Sequence, residues 1–449
     1  MSGHRPQGGR GRQILEWGKN LLIAVLALSA IYLALRTGLY TDWNEAEGGI
    51  AGWFTSLFHE PAEPAPSADP ARPAAAALPV RIAVYSEGSG RYGAQYDAVL
   101  TNTVYDAFSS LLGEALASAG EVRTIPEAHW RDALERPGVY FDYLYEVPLE
   151  ALSTWLSEDS SPAALEGSAR RVLLAQGEGD AVTLYYSNES DGMYYACDTA
   201  VSYVGHLRDA VEGYGSNGAT FVFEYGAGSG YEGLDPYVMI LSAPPAPQIY
   251  RGSNPVDLAD GAFLSAVQTA CGFPVQTSST YQVRDTVRIR DGNDALSIDK
   301  SGEVTFTAGD ELIRYPVEDK SAASLIEVCR SLVQATVGTW CGEEAQVTLT
   351  GLKEQGDGNW EVTFGYLLNG AAVQLYGDGY AALFRIQDGR IDSYTLRFRH
   401  YEGTGEQSLI MRELQAAAAM RAEELGGREL ALCYEDSGGE SIRAGWVAR

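Results

Sequence analysis

The pattern of apolar and polar positions from residue 80 onward predicts short strands alternating with amphipathic helices. Residues 80–85 form a short apolar run, which is typical of a strand, and residues 94–119 repeat apolar side chains every three to four positions, which indicates a helix. Gly120 ends that helix. Further strands are predicted at 121–125, 139–146, 171–176, 181–187 and 192–196, with helices at 126–135, 148–156 and 203–211. The first unit is therefore predicted to be α+β.

The second half of the chain predicts a helix followed by a meander of strands, used twice. The first copy comprises a helix near 257–271 and strands at 281–290, 295–299, 303–307 and 311–316. The second comprises a helix at 321–338 and strands at 345–353, 359–368, 371–376, 379–387 and 390–400. A helix at 406–424 and strands at 429–434 and 441–447 end the chain. Turn signals such as DGN and KSGE separate the strands. The predicted fold class is α+β, with antiparallel sheets each covered by helices.

Residues 21–40 are predicted to form a single transmembrane helix. From Leu21 to Leu35 every residue is apolar except Ser29 and Tyr32, and a span needs about 20 such residues. Basic residues precede the segment and acidic residues follow it, so the positive-inside rule places the N-terminus in the cytoplasm and the body outside the membrane. A cleaved signal peptide is the alternative, but the apolar run continues well past its best cleavage site, Ala27-Leu28-Ser29.

Composition sets the predicted domain organisation. Residues 61–79 hold six prolines and eight alanines, a composition that favours an extended stalk over a packed domain. The predicted segments are a cytoplasmic tail at 1–20, the transmembrane helix at 21–40, a juxtamembrane segment and stalk at 41–79, an N-terminal α+β ectodomain at 80–215, a central α+β domain at 216–318 and a C-terminal helix-plus-meander domain at 319–449.

The charge of the chain is strongly acidic and unevenly distributed. Residues 1–36 carry five basic residues and one acidic residue, so the remainder carries a charge of −32 within the total of −28. Such a body repels DNA, RNA and anionic lipid head groups, which makes nucleic acid an unfavourable partner.

One glycine motif suggests nucleotide binding, but the residues around it do not match the rest of the dinucleotide-binding pattern. Gly88, Gly90 and Gly93 form G-x-G-x-x-G after a strand, the pattern that cradles a pyrophosphate when a helix follows. The fingerprint also needs an acidic residue at the end of the second strand, where this chain has none. We therefore predict no nucleotide and interpret the motif as a turn leading into a helix, with Tyr92 and Tyr96 packed over the strand end.

No other pattern in the sequence supports an enzyme, a cofactor or a metal site. The five histidines are scattered without metal-ligand spacing, and no G-x-S-x-G elbow occurs. The five cysteines include no C-x-x-C pair and are interpreted mainly as buried apolar residues, with one disulfide left open. We therefore predict that the protein is not an enzyme and binds no cofactor.

Small residues form a narrow ridge on the predicted transmembrane helix. Ala24, Ala27, Ala30 and Ala34 recur at three- and four-residue spacing. Such ridges allow helix backbones to approach closely in lipid, so these residues are a candidate helix–helix interface. The frequency of alanine in this chain explains the pattern equally well.

Several stretches together resemble a known family. These are RYGAQYD at 91–97, GVYFDYLYEVPLEALSTWL at 138–156, the meander at 369–399 and the chain end AGWVAR. They resemble the YycH/YycI-type regulatory proteins, single-pass proteins of Gram-positive bacteria with an extracytoplasmic α+β body. The resemblance implies association with a sensor histidine kinase of the WalK type, or with a second YycH/YycI-like protein, and no catalytic residues.

The sequence thus favours an envelope regulator and leaves two other functions open. The first hypothesis is an accessory protein that modulates a two-component sensor kinase through membrane and ectodomain contacts. An alternative is an envelope ligand-binding or assembly module in which aromatic loops near 225–237 grip peptide or glycan. A cell-wall hydrolase is the third hypothesis, which a pocket of convergent carboxylates or histidines would support.

Overall fold

The computed structural model describes most of the chain from residue 77 onward. The described ranges are 77–156, 165–310, 313–317, 319–377, 379–425 and 427–449. The predicted tail, the predicted transmembrane helix and nearly all of the stalk lie outside them, as do the candidate interface residues Ala24, Ala27, Ala30 and Ala34. Within the described ranges, no helix is both long and apolar enough to cross a membrane.

The first part of the described chain forms a seven-stranded antiparallel sheet. Its strands are β1 (Arg81–Ser86), β2 (Gly90–Gln95), β3 (Arg123–Ile125), β4 (Gly138–Pro148), β5 (Ser168–Gln176), β6 (Ala181–Asn188) and β7 (Met193–Ser202). Their order across the sheet is β2-β1-β4-β5-β6-β7-β3. The helices of this part are α1 (Ala98–Ala117), α2 (Glu127–Leu134), α3 (Leu149–Leu156) and α4 (Arg208–Glu212), and a π-helical turn at Tyr203–Leu207 leads into α4.

Both faces of this sheet are covered. Alternate residues of each strand point to opposite sides, and each set packs against a different layer. Ile82 and Phe141 face a layer that includes α1, where Phe108 is fully buried. Tyr140 points to the other face and packs edge-on against Trp130 of α2. The sheet is therefore the central layer of this part of the protein.

A hairpin precedes α1 where the sequence predicted the start of the helix. Residues 90–95 pair with β1, and α1 begins at Ala98 rather than near Ala94. The side chain of Asp97 caps the helix by accepting the N–H of Leu100 at 3.0 Å. The predicted turn into a helix was wrong because residues 90–95 are paired along β1, a contact that their spacing does not reveal.

A second, larger sheet follows. Its strands are β10 (Gln248–Ser253), β11 (Ser279–Val283), β12 (Thr286–Asp291), β13 (Asp294–Asp299), β14 (Glu303–Thr307), β15 (Ala345–Gly356), β16 (Asn359–Leu368), β17 (Ala371–Leu375), β18 (Ala382–Gln387), β19 (Arg390–Arg397), β20 (His400–Gln407), β21 (Leu430–Asp436) and β22 (Ser441–Ala448). The order is β11-β12-β13-β14-β19-β18-β16-β17-β21-β22-β10-β20, and β15 pairs with β16. Its neighbouring strands are antiparallel except β17 and β21, which are parallel. Strands β8 (Thr220–Phe221) and β9 (Met239–Ile240) form a separate two-stranded ribbon, which pairs with neither of the two large sheets.

The two predicted meanders join edge to edge in this one sheet. Helix α5 (Gly261–Ala270) precedes β11 to β14, and helix α6 (Ala322–Ala335) with the short α7 (Val337–Trp340) precedes β15 to β19. Strand β14 then pairs with β19. The segments 216–318 and 319–449 therefore both contribute to the sheet. The predicted mixed α+β class with antiparallel sheets is confirmed.

Two elements of the second half differ from the predictions. Where a strand was predicted at 311–316, the described residues make only an isolated bridge between Pro316 and Arg390. Strand β20 pairs with β10, and the helix predicted from 406 begins at Glu413 as α8 (Glu413–Ala422). The partner of β20 is about 150 residues away in sequence, so local periodicity cannot indicate it.

A buried ion cluster connects the first sheet to the last strands of the chain. Arg81 of β1 and Arg170 of β5 both contact Asp142 of β4, each at 3.0 Å, and both also contact Glu429, which immediately precedes β21. All four side chains are at most 7% exposed. Backbone hydrogen bonds between Glu429 and Arg449 pair this point with the end of β22. The cluster therefore fixes the C-terminal strands against three strands of the first sheet.

The charges in this cluster depend on one another. Burial alone would raise the pKa of Glu429, but the positive charges of Arg81 and Arg170 outweigh it and hold that pKa below its ordinary value. The same two arginines hold the pKa of Asp142 well below its ordinary range despite complete burial. Because every member is out of water, each ion is stable only while its partners are present.

We expect Glu429→Gln to lower the free energy of unfolding by about 3–5 kcal/mol, because it leaves two buried arginines short of a counter-charge. Denaturant titration at pH 7 measures this. Glu402→Gln is the matched control, because Glu402 pairs with Arg251 at an exposed site and should contribute less than about 1 kcal/mol. Equal effects of the two variants would contradict the assigned role.

The same cluster predicts a loss of stability in acid. The pKa values of Asp142 and Glu429 are lowered in the folded state, so their contribution is present above their ordinary values of 3.8 and 4.5 and is lost as the pH falls below them. The free energy of unfolding, measured from pH 7 to pH 2, should therefore decrease once the pH is lower than about 4.5. Glu429→Gln should show a shallower fall, because one of the two coupled carboxylates is missing.

Candidate functional site

The glycine motif lies in the β1–β2 hairpin, not at the start of a helix. Gly88 is in the hairpin turn, Gly90 begins β2 with a φ of +81°, and Gly93 lies within β2. A Cβ on Gly93 would stand 2.6 Å from the Cβ of Ala219 and 2.8 Å from the Sδ of Met239. The absence of a side chain at this position therefore serves the packing of the β8–β9 ribbon on β2.

Tyr92 and Tyr96 contact different partners. The ring of Tyr92 packs against Tyr214 at a centroid distance of 5.3 Å. Tyr96 has a φ of +58°, its hydroxyl accepts the N–H of Leu432 at 3.2 Å, and its ring meets Trp446 edge-on. The sequence predicted that Tyr96 packs over the end of the strand at 80–85, whereas the structure places it against β21 and β22.

A second glycine motif, at 228–233, forms a loop closed by its own side chain. Gly228, Gly230 and Gly233 all have positive φ. The carboxylate of Glu232 accepts the N–H groups of Gly228 and Gly230, and it also contacts Arg421 of α8 at 3.3 Å. These two N–H groups are therefore satisfied, and the ion pair with Arg421 joins the loop to the helix.

The aromatic residues of 225–237 divide into a buried one and two that lie against α8. Tyr237 is 1% exposed and its hydroxyl donates to Glu127 at 2.9 Å, so it belongs to the aromatic layer on the first sheet. Tyr225 and Tyr231 are half-buried, with ring centroids 5.0 Å apart, and pack on the apolar cluster that includes Met420. Because the rings are packed in this way, the structure does not support the hypothesis that they bind a peptide or a glycan.

An exposed apolar surface lies where the chain enters α8. Leu409, Met411 and Leu414 are all exposed, and together they are called the 409–414 surface. The backbone beneath it is fixed, because the Trp446 indole N–H donates to the carbonyl of Met411 at 2.8 Å. Leu414 lies against Gly230, where an added Cβ would stand 2.6 Å from its Cδ1. Three exposed apolar side chains within six residues make this stretch a candidate contact surface.

Helix α8, which follows this surface, carries a buried carboxyl group. Glu413 is 8% exposed, and among the described residues its side chain has neither an ion pair nor a hydrogen bond. Burial raises its pKa to about 7. Tyr225 and Tyr231 lie close enough for its charge to act on them. An unpaired buried carboxylate is unfavourable, so this group is divided between its charged and neutral forms near neutral pH.

The described residues include the five cysteines that the sequence analysis considered, and other side chains of the kinds that bind metal ions. All five cysteines are free and buried, and burial raises the pKa of Cys271 to about 12 and that of Cys197 to about 11. Thiols of this kind are mostly protonated and react slowly. The described ranges contain no group of three or more histidine, cysteine or acidic side chains that could hold a metal ion.

Comparison with known proteins adds one solved structure. No protein-family model and no curated protein matches the sequence. The chain has a mixed α+β fold of antiparallel sheets with few helices. That fold is similar to the crystal structure of YycH from Bacillus subtilis, with a TM-score of 0.52 and 12% sequence identity over 84% of this chain and 95% of that chain. At this identity the likeness establishes the fold, and it confirms the YycH-type resemblance of the sequence at that level.

Sequence reasoning missed the 409–414 surface and Glu413. Both lie in a stretch predicted to be helical from 406, where apolar residues are expected to face a core. The available signal was the run Leu409-Ile410-Met411, because three consecutive apolar residues do not fit one face of a helix.

We expect Glu413→Gln to raise the free energy of unfolding at pH 8 by about 2–3 kcal/mol. Because its pKa is raised in the folded state, the contribution of Glu413 to stability is complete below about pH 4.5 and is lost as the pH rises from there through about 7. A neutral amide removes that loss. Denaturant titrations at pH 5 and pH 8 measure the difference. Glu423→Gln, an exposed change just beyond the same helix, should leave the pH dependence unaltered, and an unaltered Glu413→Gln would contradict the assignment.

Proposed function

We propose that the protein is a membrane-anchored, extracytoplasmic accessory protein that modulates an envelope two-component sensor kinase. The observation that carries the proposal is the likeness to YycH across 95% of that chain and 84% of this one. A match of that extent involves more than either sheet alone. The YycH/YycI-type resemblance of the sequence stretches supports the same role.

The proposal places the body outside the cell on the anchor predicted at 21–40. Its support is the sequence pattern, in which basic residues precede the apolar segment and a strongly acidic body follows the stalk. In this arrangement the helix meets the lipid bilayer and, through the ridge of Ala24, Ala27, Ala30 and Ala34, a transmembrane helix of the partner. Regulation then passes from the body to the kinase by direct contact in and above the membrane.

The 409–414 surface is the proposed contact of the body. Removing an exposed Leu or Met side chain from water contributes roughly 1–2 kcal/mol each, so three adjacent side chains supply a useful part of a moderate affinity. The proposed occupant is the extracytoplasmic part of the sensor kinase. A second YycH/YycI-like protein is the other partner that the sequence resemblance implies.

We expect the sensor kinase to co-purify with the full-length chain from membranes of the source cells. The triple variant Leu409→Ser, Met411→Ser and Leu414→Ser should retain about a tenth or less of the bound kinase, because it removes most of the apolar area of the contact. Exchange of residues 21–40 for an unrelated transmembrane helix should also reduce recovery. Val99→Ser is the control, since Val99 is an exposed apolar residue on α1.

Two results would contradict the proposal. The first is that no sensor kinase is recovered with the wild-type chain under conditions that preserve membrane complexes. The second is that deletion of the protein leaves the output of every envelope kinase of the cell unchanged. Recovery of the kinase by the triple variant at the wild-type level would move the contact to another surface and leave the function itself in place.

A further inference from the structure

The second sheet ends in an edge strand that no described part of the chain covers. Strand β11 pairs with β12 on one side and is the last strand in the order of the sheet. All five of its residues are exposed, and Tyr281 and Val283 are exposed apolar residues on it. Along such an edge, alternate N–H and C=O groups point away from the sheet and are available to another strand.

The edge lacks the devices that usually prevent strand addition. Its sequence, STYQV, contains no charge and no proline. Its backbone register is fixed, because it pairs with β12 residue by residue from Ser279 to Val283. An extended segment can therefore add to it in a defined register.

Three unpaired arginines lie beside this edge. Arg284 is in the turn between β11 and β12, and Arg288 and Arg290 are exposed on β12, directly opposite Tyr281 and Ser279. Among the described residues, none of the three has an ion-pair partner. In a chain with a net charge of −28 this concentration of free positive charge is unusual.

The nearby acids do not neutralise these arginines. Asp285 pairs with Lys300 at 2.6 Å. Asp291 and Asp294 both pair with Arg314, at 2.7 and 2.8 Å. These three carboxylates are thus already bound to other cations, and the carboxylate of Asp299 accepts hydrogen bonds from Thr286 and Ser301, so the arginines remain available to a partner.

We propose that β11 is a docking site for an extended acidic segment of another protein, which adds to the sheet as a further strand. Main-chain hydrogen bonds to β11 supply the pairing, and Arg284, Arg288 and Arg290 select carboxylate side chains on the exposed face. The added strand would lie two strand spacings of about 4.8 Å each from β12, a distance that the long side chains of glutamate and arginine on the same face span together. The inference rests on this edge alone and does not require the partner to be the kinase.

The test is peptide binding to the full-length chain, measured by fluorescence anisotropy. The probe is the peptide EVTVEVTVE, compared with KVTVKVTVK and with an EVTVEVTVE peptide N-methylated at its five central residues, which blocks pairing along both of its edges. The acidic peptide should bind at least tenfold more tightly than either of the others. On its binding, the amides of β11 should become protected from hydrogen exchange, because they then pair with the peptide.

The matched variants separate charge at this edge from charge in general. Arg288→Gln with Arg290→Gln should weaken binding of the acidic peptide about tenfold and leave the melting temperature unchanged, because both side chains are exposed. Arg208→Gln with Arg251→Gln changes the net charge equally at exposed positions outside this edge and should leave binding unchanged.

Three outcomes would overturn the inference. Equal binding of the acidic and basic peptides removes the role of the arginines, as does wild-type affinity in the Arg288→Gln, Arg290→Gln variant. Equal binding of the N-methylated peptide shows an anion-binding patch without strand pairing, which a polyanion or a charged lipid surface would satisfy as well. In each case the proposed kinase partnership is unaffected, because its test uses the 409–414 surface.

Discussion

Two guanidinium groups and two carboxylates lie out of water where β1, β4 and β5 meet the start of β21. Arg81, Arg170, Asp142 and Glu429 are each unfavourable when buried alone and are stable only as a set. That contact holds β21, and through it β22, against the first sheet.

Local patterns in the sequence account for the elements that are held by near neighbours. The hairpins of the second sheet and helices α1 and α6 follow from apolar spacing and turn residues. The parallel pair β17–β21 and the pair β10–β20 join residues that are distant in sequence. The local sequence around Gln374 or Gln248 does not indicate which strand pairs there. Glu429 is one carboxylate among 60 acidic residues, so its role becomes visible only when Arg81 and Arg170 are seen beside it.

The protein presents two surfaces of different physical character. The 409–414 surface is apolar, so contact there is governed by the removal of water. The β11 edge offers backbone groups and free arginines, so contact there is directional and depends on salt. A protein with one surface of each kind can hold one partner while responding to another.

Glu429 lies more than 250 residues after Arg170 in the sequence, and this separation has a consequence for biogenesis. Strands β1, β4 and β5 emerge from the ribosome long before Glu429, so for most of synthesis Arg81 and Arg170 have only part of their counter-charge. The first sheet therefore cannot reach its final state in the order in which it is made, although N-terminal regions usually fold first. Such a delay keeps the first sheet incompletely packed until the segment that contains Glu429 has been synthesised.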